Sequence, residues 1–319
     1  MLKALARAKV NPFLRVLPPR KNGFHDIVSL FLSIDLADEL HLSPGKTGDK
    51  RLLVEYSSSF LTEQGMALDD SNLVLKAESL FYEEIKEEAP PLQWQLLKRI
   101  PLASGLGGGS ADAAAALLLL NEKNSNRLSE EELHSVAAKV GADVPFCLSG
   151  GTALVTGIGD KIEHLSPLPK MGVVLLRPLE GMPTPEAYGA LDKRYGWEKG
   201  VGDKKVKGAT EGATARLTAL LERLSTLNMK AAGPLVDNDF QDLLKGELPV
   251  IDDLLKLLEQ AGALVKFLTG SGSCVAAILE DEQRAKEILT KVNSHPSVAW
   301  SATCSIASLG AELVETKDE

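Results

Sequence analysis

The chain has 319 residues, 44% of them hydrophobic, and a formal net charge of −9 at neutral pH. This length and apolar content suffice for two domains with ordinary cores. The acidic balance, without any basic block or stripe, argues against nucleic-acid binding, so we expect no nucleic-acid partner. The longest uninterrupted apolar run, residues 113–120, is far shorter than a membrane span.

The three cysteines, Cys147, Cys274 and Cys304, are odd in number, widely spaced and set in apolar segments. Buried free thiols are the expected form, and they suit a reducing compartment. The N-terminal segment is mildly basic, but it has no apolar signal core, and Lys9 comes too early for a cleavable leader. We therefore expect a cytoplasmic protein without membrane contact, as a monomer or a homodimer.

The first half of the chain is predicted to combine strands and helices. Strands are predicted at residues 8–17, 27–35, 51–56 and 94–98. Three helices are predicted: the first at residues 72–85, the second directly after the glycine-rich segment 105–109, and the third from residue 130 onward. Asp70 or Ser71 is a candidate cap for the first helix. Ser129 and Glu132 form a capping box for the third helix, which ends at Gly141.

The second half continues this pattern. Strands are predicted at residues 171–177, 264–269 and 299–307, and helices at 213–224, 250–261 and 281–292. Residues 197–214 are rich in Gly, Lys, Thr and Glu, which predicts a mobile insertion and not a site. Because Gly and Pro interrupt the pattern near 157–166, we predict an α+β protein with two domains, 1–160 and 161–319.

The glycine-rich loop is the most informative segment. Gly105, Gly107, Gly108 and Gly109 are followed by Ser110 and an alanine-leucine run. Such a loop can wrap its backbone N–H groups around an anion, because glycine allows positive φ and close approach. The helix that follows points its N-terminus at the same place, so a phosphate is the expected ligand. A plain surface turn before a buried helix is the alternative, but turns seldom need four glycines in five positions.

Two common phosphate-binding motifs do not fit this loop. The pattern GxxxxGK[ST] occurs nowhere, and GxGxxG fails because Ser110 stands where the third glycine belongs. The segment 101–111 instead resembles the second motif of the GHMP kinases. Further motifs of that family match, in order and spacing, residues 8–14 (AKVNPFL), 22–25 (NGFH), 141–146 (GADVPF) and 268–275 (LTGSGSCV).

The resemblance runs over nearly the whole chain and is best with the branch that phosphorylates 4-diphosphocytidyl-2-C-methyl-D-erythritol. It implies the two-domain GHMP kinase fold, with the active site in the cleft between the domains. It also implies ATP-dependent phosphorylation of the acceptor's 2-hydroxyl, a step of the non-mevalonate route to isoprenoid precursors, with a small molecule as partner. The alternatives are another GHMP kinase, of the homoserine or mevalonate kinase type, and a catalytically silent ligand-binding protein of the same fold.

Asp143 and Lys9 are the implied catalytic residues. In the family, the aspartate takes the proton from the acceptor hydroxyl, and the lysine lies beside it and faces the transferred phosphoryl group. Without the resemblance, Asp143 is an aspartate just past a helix, in a loop that Pro145 holds extended, and Lys9 is a solvated strand lysine. Strand alternation puts Lys9 and Asn11 on one face, so Asn11 is a candidate ligand of the acceptor.

The implied ATP site is centred on the glycine-rich loop. The resemblance assigns to it Pro101, Leu102, Ala103, Ser104, Gly105, Leu106, Gly107, Gly108, Gly109, Ser110 and Ala111. Lys98 and Asn72 match family positions near the adenosine, although an exposed strand lysine and a helix cap explain them equally well. Mg²⁺ is expected with ATP, held mainly by phosphate oxygens. The Ser110 hydroxyl is its candidate protein ligand, because no carboxylate cluster has metal-ligand spacing.

The implied acceptor site includes an aromatic-histidine pair, Phe24 and His25, that reads a cytosine. The ring of Phe24 stacks on the base, and His25 forms a hydrogen bond with the base edge. Phe24 lacks the hydroxyl of the tyrosine that is common at this position. Thr184 and Tyr188 match a second-domain segment in which the tyrosine ring covers the other face of the base. Homoserine and mevalonate kinases need no such pocket, so these residues separate the alternatives.

Overall fold

The computed structural model of the protein describes residues 1–48, 50–62 and 65–315, without the side chains of residues 62 and 202–209. The described strands are β1 (Leu2–Pro19), β2 (His25–Pro44), β3 (Leu52–Tyr56), β4 (Leu92–Lys98), β5 (Thr152–Gly157), β6 (Lys161–His164), β7 (Gly172–Arg177), β8 (Asp237–Asn238), β9 (Val265–Leu268), β10 (Val275–Leu279), β11 (Trp300–Ser305) and β12 (Glu312–Val314). The described helices are α1 (Ser59–Thr62), α2 (Leu73–Ile85), α3 (Gly108–Lys123), α4 (Glu130–Val140), α5 (Val144–Ser149), α6 (Thr184–Tyr195), α7 (Gly202–Ser225), α8 (Met229–Ala232), α9 (Asp239–Glu247), α10 (Pro249–Ala261) and α11 (Glu282–Val292).

The strands form two sheets. The larger one has the order β12-β1-β2-β4-β3, with β5 and β6 continuing from β2 and the short β8 on β1. The smaller one has the order β11-β7-β10-β9. This mixture of helices and two sheets confirms the predicted α+β class. The boundary between residues 160 and 161 stays a prediction: β6 and the C-terminal β12 both pair within the larger sheet.

Three apolar layers hold the fold together. The first packs α2, α3 and α4 onto one face of the larger sheet. The second lies between the other face of β1 and β2 and one face of the smaller sheet, together with α7. The third covers the opposite face of the smaller sheet with α6, α9, α10 and α11. The alanine-rich α3 is buried on nearly all sides, because its short side chains let β1 and α2 approach closely.

The predicted helix ends are largely confirmed, with one correction. The capping box at Ser129 and Glu132 is present, and Gly141 ends α4. The cap of α2 is Asn72, and neither Asp70 nor Ser71, because the Asn72 side chain accepts a hydrogen bond from the Val74 amide at 2.9 Å. A side-chain oxygen in this position satisfies one of the free amides of the first turn.

Residues 197–214 differ from the prediction of a mobile insertion. The backbone is helical from Gly202 onward, as the beginning of α7. Leu217, Leu220 and Leu224, one face of the later turns, are buried in the second apolar layer. This tertiary packing outweighs the weak helix propensity of the Gly- and Thr-rich beginning, which the composition alone could not reveal.

In the described part of the chain, no helix is long and apolar enough to cross a membrane. Cys147, Cys274 and Cys304 are buried free thiols, as predicted. Burial raises the thiol pKa of all three, to about 12 for Cys274, so these sulfur atoms are poor nucleophiles at neutral pH.

Candidate active site

A cavity of about 900 Å³ lies between the two sheets. One end is formed by the glycine-rich loop and the beginning of α3, and the other end by the segment after β1 and by α6. Lys9, Asn11 and Asp143 line the space between these ends. The cavity therefore joins the predicted phosphate, catalytic and acceptor segments in one continuous site.

Lys9 and Asn11 lie side by side on β1, as strand alternation predicts. The Lys9 Nζ donates to Asn11 Oδ1 at 2.7 Å and lies 3.6 Å from Asp143 Oδ2. The same ammonium sits 5.0 Å from the centre of the Phe31 ring. Asn11 is fixed in turn, because its backbone amide donates to Thr269 Oγ1 at 3.0 Å. The pairing of β1 with β2 is irregular around them, with register shifts between Arg7 and Lys9 and between Val10 and Phe13.

Asp143 lies where α4 ends and α5 begins. Its backbone is in the right-handed helical region (φ −84°, ψ −11°), so the prediction of an extended loop is wrong. Pro145 falls in the first turn of α5, a position where its missing N–H costs nothing, so it starts a helix here. The Asp143 side chain is 31% exposed and faces the cavity, beside the buried Lys9 ammonium.

The glycine-rich loop is packed tightly against the segment after β9. A Cβ at Gly105 would lie 2.1 Å from the Thr269 carbonyl oxygen, and one at Gly270 would lie 2.8 Å from the Gly105 oxygen. Gly105 and Gly107 also have positive φ, at 78° and 74°. No other residue fits at Gly105 without separating the two loops. Helix α3 begins at Gly108, so its first amides point into the cavity, where intrahelical partners are lacking.

The segment after β9 is held from below by Asn238. Its Nδ2 donates to the Leu268 carbonyl at 2.6 Å and to the Gly270 carbonyl at 2.9 Å, while its Oδ1 caps α9. Beside the cavity, the hydroxyls of Ser271 and Thr184 lie 2.9 Å apart. Thr184 is thus placed at the cavity wall, at the first residue of α6.

Lys98 is not an exposed strand lysine, because its side chain is buried at the end of β4. Its ammonium is fully buried, 2.6 Å from Asp112 and also paired with Asp38, whose other oxygen accepts the Ile100 amide at 2.8 Å. Lys98 is not among the residues that line the cavity, and it lies beneath the glycine-rich loop, between Asp38 and Asp112. Burial raises the pKa of Asp112, against the opposing effect of the Lys98 charge.

Three further residues assigned to ATP also lie behind the cavity wall. Asn72 is a helix cap that also donates to the Ala67 carbonyl at 2.7 Å. Leu106 and Ala111 are fully buried, and the Leu106 carbonyl accepts the Lys9 amide at 3.0 Å. The remaining predicted ATP residues line the cavity, namely Pro101, Leu102, Ala103, Ser104, Gly105, Gly107, Gly108, Gly109 and Ser110.

The end of the cavity formed by residues 23–25 and α6, called the base end below, carries His25 and two aromatic neighbours. The buried His25 ring has Nδ1 2.8 Å from the Leu17 carbonyl, and its centre is 5.1 Å from Tyr188 and 5.9 Å from Trp197. Burial raises the pKa of the Tyr188 phenol, and the Tyr188 ring also packs edge-on against Phe240 at 4.9 Å. Phe24 stands at the mouth of the cavity and is 58% exposed.

Comparisons with known proteins show the family of this chain. A family model described as "GHMP kinases N terminal domain" matches residues 72–151, and "GHMP kinases C terminal" matches residues 217–298. A 4-diphosphocytidyl-2-C-methyl-D-erythritol kinase of Rhodopseudomonas palustris is 36% identical over 302 residues, covering 93% of this chain and 95% of the relative. This chain belongs to the 4-diphosphocytidyl-2-C-methyl-D-erythritol kinases, a branch of the GHMP kinases. It is an ATP-dependent small-molecule kinase.

Two further relatives agree with this assignment to the GHMP kinases. The 4-diphosphocytidyl-2-C-methyl-D-erythritol kinase of Pelotomaculum thermopropionicum is 34% identical, over 91% of this chain and 93% of the relative. A crystal structure of a 4-(cytidine 5'-diphospho)-2C-methyl-D-erythritol kinase aligns with a TM-score of 0.73 at 26% identity, over 95% of this chain and 98% of that one. The predicted two-domain GHMP kinase fold is thereby confirmed.

The structure of this GHMP kinase also brings residues into the site that sequence reasoning missed. Asp192 and Phe240 line the cavity, and Trp197 packs behind His25. Asp192 carried a usable signal, because it follows Tyr188 by four residues and therefore lies on the same face of α6. Trp197 has no such signal in the sequence, because its segment has the composition predicted for an insertion.

Proposed function

We propose that this kinase transfers the γ-phosphoryl group of ATP to the 2-hydroxyl of 4-diphosphocytidyl-2-C-methyl-D-erythritol. One observation carries the proposal: the pair formed by Lys9 and Asp143 lies in a single cavity between an anion-binding loop and an aromatic-histidine pocket. The anion-binding loop fits a phosphoryl donor, and the aromatic-histidine pocket fits a pyrimidine-bearing acceptor. The relatives named above carry the same activity in their names.

The phosphates of ATP lie, in this proposal, against the loop 101–107 and the first amides of α3. Oriented N–H groups and the positive end of the helix dipole favour an anion at this place. Gly105, Gly107 and Gly108 let this loop pack closely, because a Cβ at any of the three would press against neighbouring parts of the protein. Lys98 acts one layer further out, by holding the strand that leads into the loop.

Mg²⁺ accompanies ATP in this proposal. In the described residues, no group of three or more His, Cys, Asp or Glu side chains could hold a metal ion. The donor set therefore fits a Mg²⁺ held mainly by phosphate oxygens, with the Ser110 hydroxyl as its candidate protein ligand. Such an ion supplies positive charge that offsets the negative charge of the phosphates.

Asp143 and Lys9 act on the acceptor hydroxyl and the transferred group. Asp143 accepts the proton of the 2-hydroxyl, and Lys9 faces the phosphoryl oxygens as a fixed positive charge. Because phosphoryl transfer has a loose transition state, little proton removal is needed early, so positioning and charge provide most of the rate. Asn11 holds the Lys9 ammonium at 2.7 Å and so keeps it aimed between the two reactants.

The cytosine of the acceptor lies, in this proposal, at the base end of the cavity. Phe24 and Tyr188 provide the aromatic faces, and His25 provides a hydrogen bond. The Leu17 carbonyl can only accept, so His25 Nδ1 carries a proton and Nε2 is the atom left for the base edge. Thr184 lies between this pocket and the segment after β9. We place the enzyme in the cytoplasm, in line with its free thiols.

The test is an ADP-release assay with Mg-ATP and three acceptors side by side: the cytidyl acceptor, homoserine and mevalonate. We expect turnover with the cytidyl acceptor alone. Turnover with homoserine or mevalonate would keep the phosphate loop and discard the cytosine pocket. Binding of ATP with no turnover on any acceptor would favour the silent ligand-binding protein.

A further inference from the structure

Asp192 occupies a position at the base end that the reaction described so far does not use. It lies one turn after Tyr188 on α6 and lines the same cavity. Its Oδ1 is buried, 3.4 Å from His25 Nε2, and has no hydrogen-bond partner within the described residues. The rest of the side chain lines the cavity and keeps 34% of its surface exposed, so a ligand there meets the exposed part of the carboxylate.

The orientation of His25 makes this arrangement chemically specific. Since Nδ1 donates to the Leu17 carbonyl, the ring cannot turn away, and Nε2 points toward Asp192. The rings of Tyr188 and Trp197 pack against it at centre distances of 5.1 and 5.9 Å. The carboxylate of Asp192 and the Nε2 of His25 thus meet at one corner of the pocket, 3.4 Å apart.

We propose that Asp192 is a specificity-determining residue that selects cytosine over uracil in the acceptor, a proposal that rests on the proposed function. The exocyclic amine of cytosine has two N–H donors and no acceptor, so it fits a carboxylate, and Asp and Glu are suitable partners for this group. Uracil presents a carbonyl oxygen at the same position, so its lone pairs face the negative charge. A carboxylate that accepts these N–H groups disfavours the analogue that lacks them, because a carbonyl oxygen then faces the carboxylate with no hydrogen bond between them.

The experiment compares kcat/KM for the cytidyl acceptor and its uridyl counterpart, made by deaminating the base. The variants are Asp192→Asn and Asp192→Ala, and Glu186→Gln is the matched control. Glu186 lies on the same helix, is exposed and does not line the cavity. It therefore reproduces the loss of one negative charge on α6 without touching the pocket.

We expect Asp192→Asn to lower kcat/KM for the cytidyl acceptor about 10- to 100-fold. The value for the uridyl acceptor should stay constant or rise, because an amide can rotate to donate to a carbonyl. Asp192→Ala should lower kcat/KM for the cytidyl acceptor by the same factor, with no rise in kcat/KM for the uridyl acceptor. The KM for ATP should stay unchanged in all three variants, and Glu186→Gln should keep the selectivity of the unaltered enzyme.

A cytidyl-to-uridyl ratio unchanged in both Asp192 variants would overturn the inference, even if both rates fall, because a merely structural role lowers the two together. This failure is distinct from failure of the proposed function, which would show as no turnover of the cytidyl acceptor by the unaltered enzyme. Near-equal use of both acceptors by the unaltered enzyme would leave the kinase assignment standing and would also overturn the role of Asp192.

Discussion

The two ends of the cavity are built differently. At the end formed by the glycine-rich loop and the beginning of α3, called the phosphate end, backbone packs against backbone. At the base end, side chains from separate segments line the cavity. Gly105 is so close to the Thr269 carbonyl that even a methyl group does not fit between them. Phe24, by contrast, is 58% exposed at the mouth of the cavity. The glycine-rich loop therefore tolerates little change, whereas Phe24 can be altered without disturbing the packing of the fold.

This difference matches the division of labour in the reaction. In the proposed reaction, the glycine-rich loop holds the phosphates of ATP, and Phe24, His25 and Tyr188 hold the acceptor. Lys9, which we propose as a catalytic residue together with Asp143, lies between the two ends. The hydrogen bond from its backbone amide to the Leu106 carbonyl ties Lys9 to the glycine-rich loop.

Breaking the support beneath the phosphate end should have the largest effect. Lys98→Met leaves Asp38 and Asp112 buried without their cation. We expect the free energy of unfolding to fall by about 3–5 kcal/mol at neutral pH. The loss should shrink at acid pH, because burial raises the pKa of Asp112 and protonation removes the buried charge.

The measurement for this variant is denaturant unfolding across a pH series. The matched control is Lys139→Met, which breaks an exposed pair with Glu84 at 2.7 Å and should cost less than about 1 kcal/mol. Equal losses in the two variants would show that the buried cluster contributes no more than a surface ion pair.

Changing the loop itself should have a smaller but more selective effect. Gly105→Ala places a Cβ 2.1 Å from the Thr269 oxygen at a φ of 78°, so the two loops must separate. We expect about a 10- to 100-fold rise in the KM for ATP and a loss of about 1–3 kcal/mol of stability. Gly246→Ala, in α9 with open space around it, is the control and should leave the KM for ATP constant.

The base end should respond least. Phe24→Ala removes one stacking face, and since this ring is mostly exposed, we expect about a 5- to 10-fold rise in acceptor KM, at the lower end of base-stacking energies. The KM for ATP and the unfolding midpoint should not move. Phe24→Tyr should keep the acceptor KM of the unaltered enzyme. A rise in the KM for ATP on Phe24→Ala would contradict the separation of the two ends.

The sequence predicts the phosphate end better than the base end, for a physical reason. Glycines at fixed spacing and strand alternation are local signals, so the loop, α3 and the shared face of Lys9 and Asn11 were predictable. The alternative of an exposed strand lysine at Lys98 is wrong, because its partners Asp38 and Asp112 are distant in sequence, and only the folded sheet shows that they enclose it.

Two other features depend on tertiary contacts that no local pattern reveals. Asp143 looked extended because Pro145 follows it closely, but the proline instead begins α5. The beginning of α7 looked unstructured because its composition is poor in apolar residues, whereas its later turns pack against the second apolar layer. Asp192 lies at the cavity and Trp197 packs behind His25 only because α6 and the segment after it contact His25 in the folded chain.

The most direct test of the account is single-turnover transfer by Asp143→Asn, with both ATP and the cytidyl acceptor bound at saturating concentration. We predict a transfer rate about 100- to 1,000-fold below that of the unaltered enzyme, with the affinities for both substrates retained. Asp160→Asn, an exposed carboxylate on the turn between β5 and β6, should transfer at the normal rate. Transfer by Asp143→Asn within about threefold of the unaltered rate would contradict the role of the Lys9–Asp143 pair in this site.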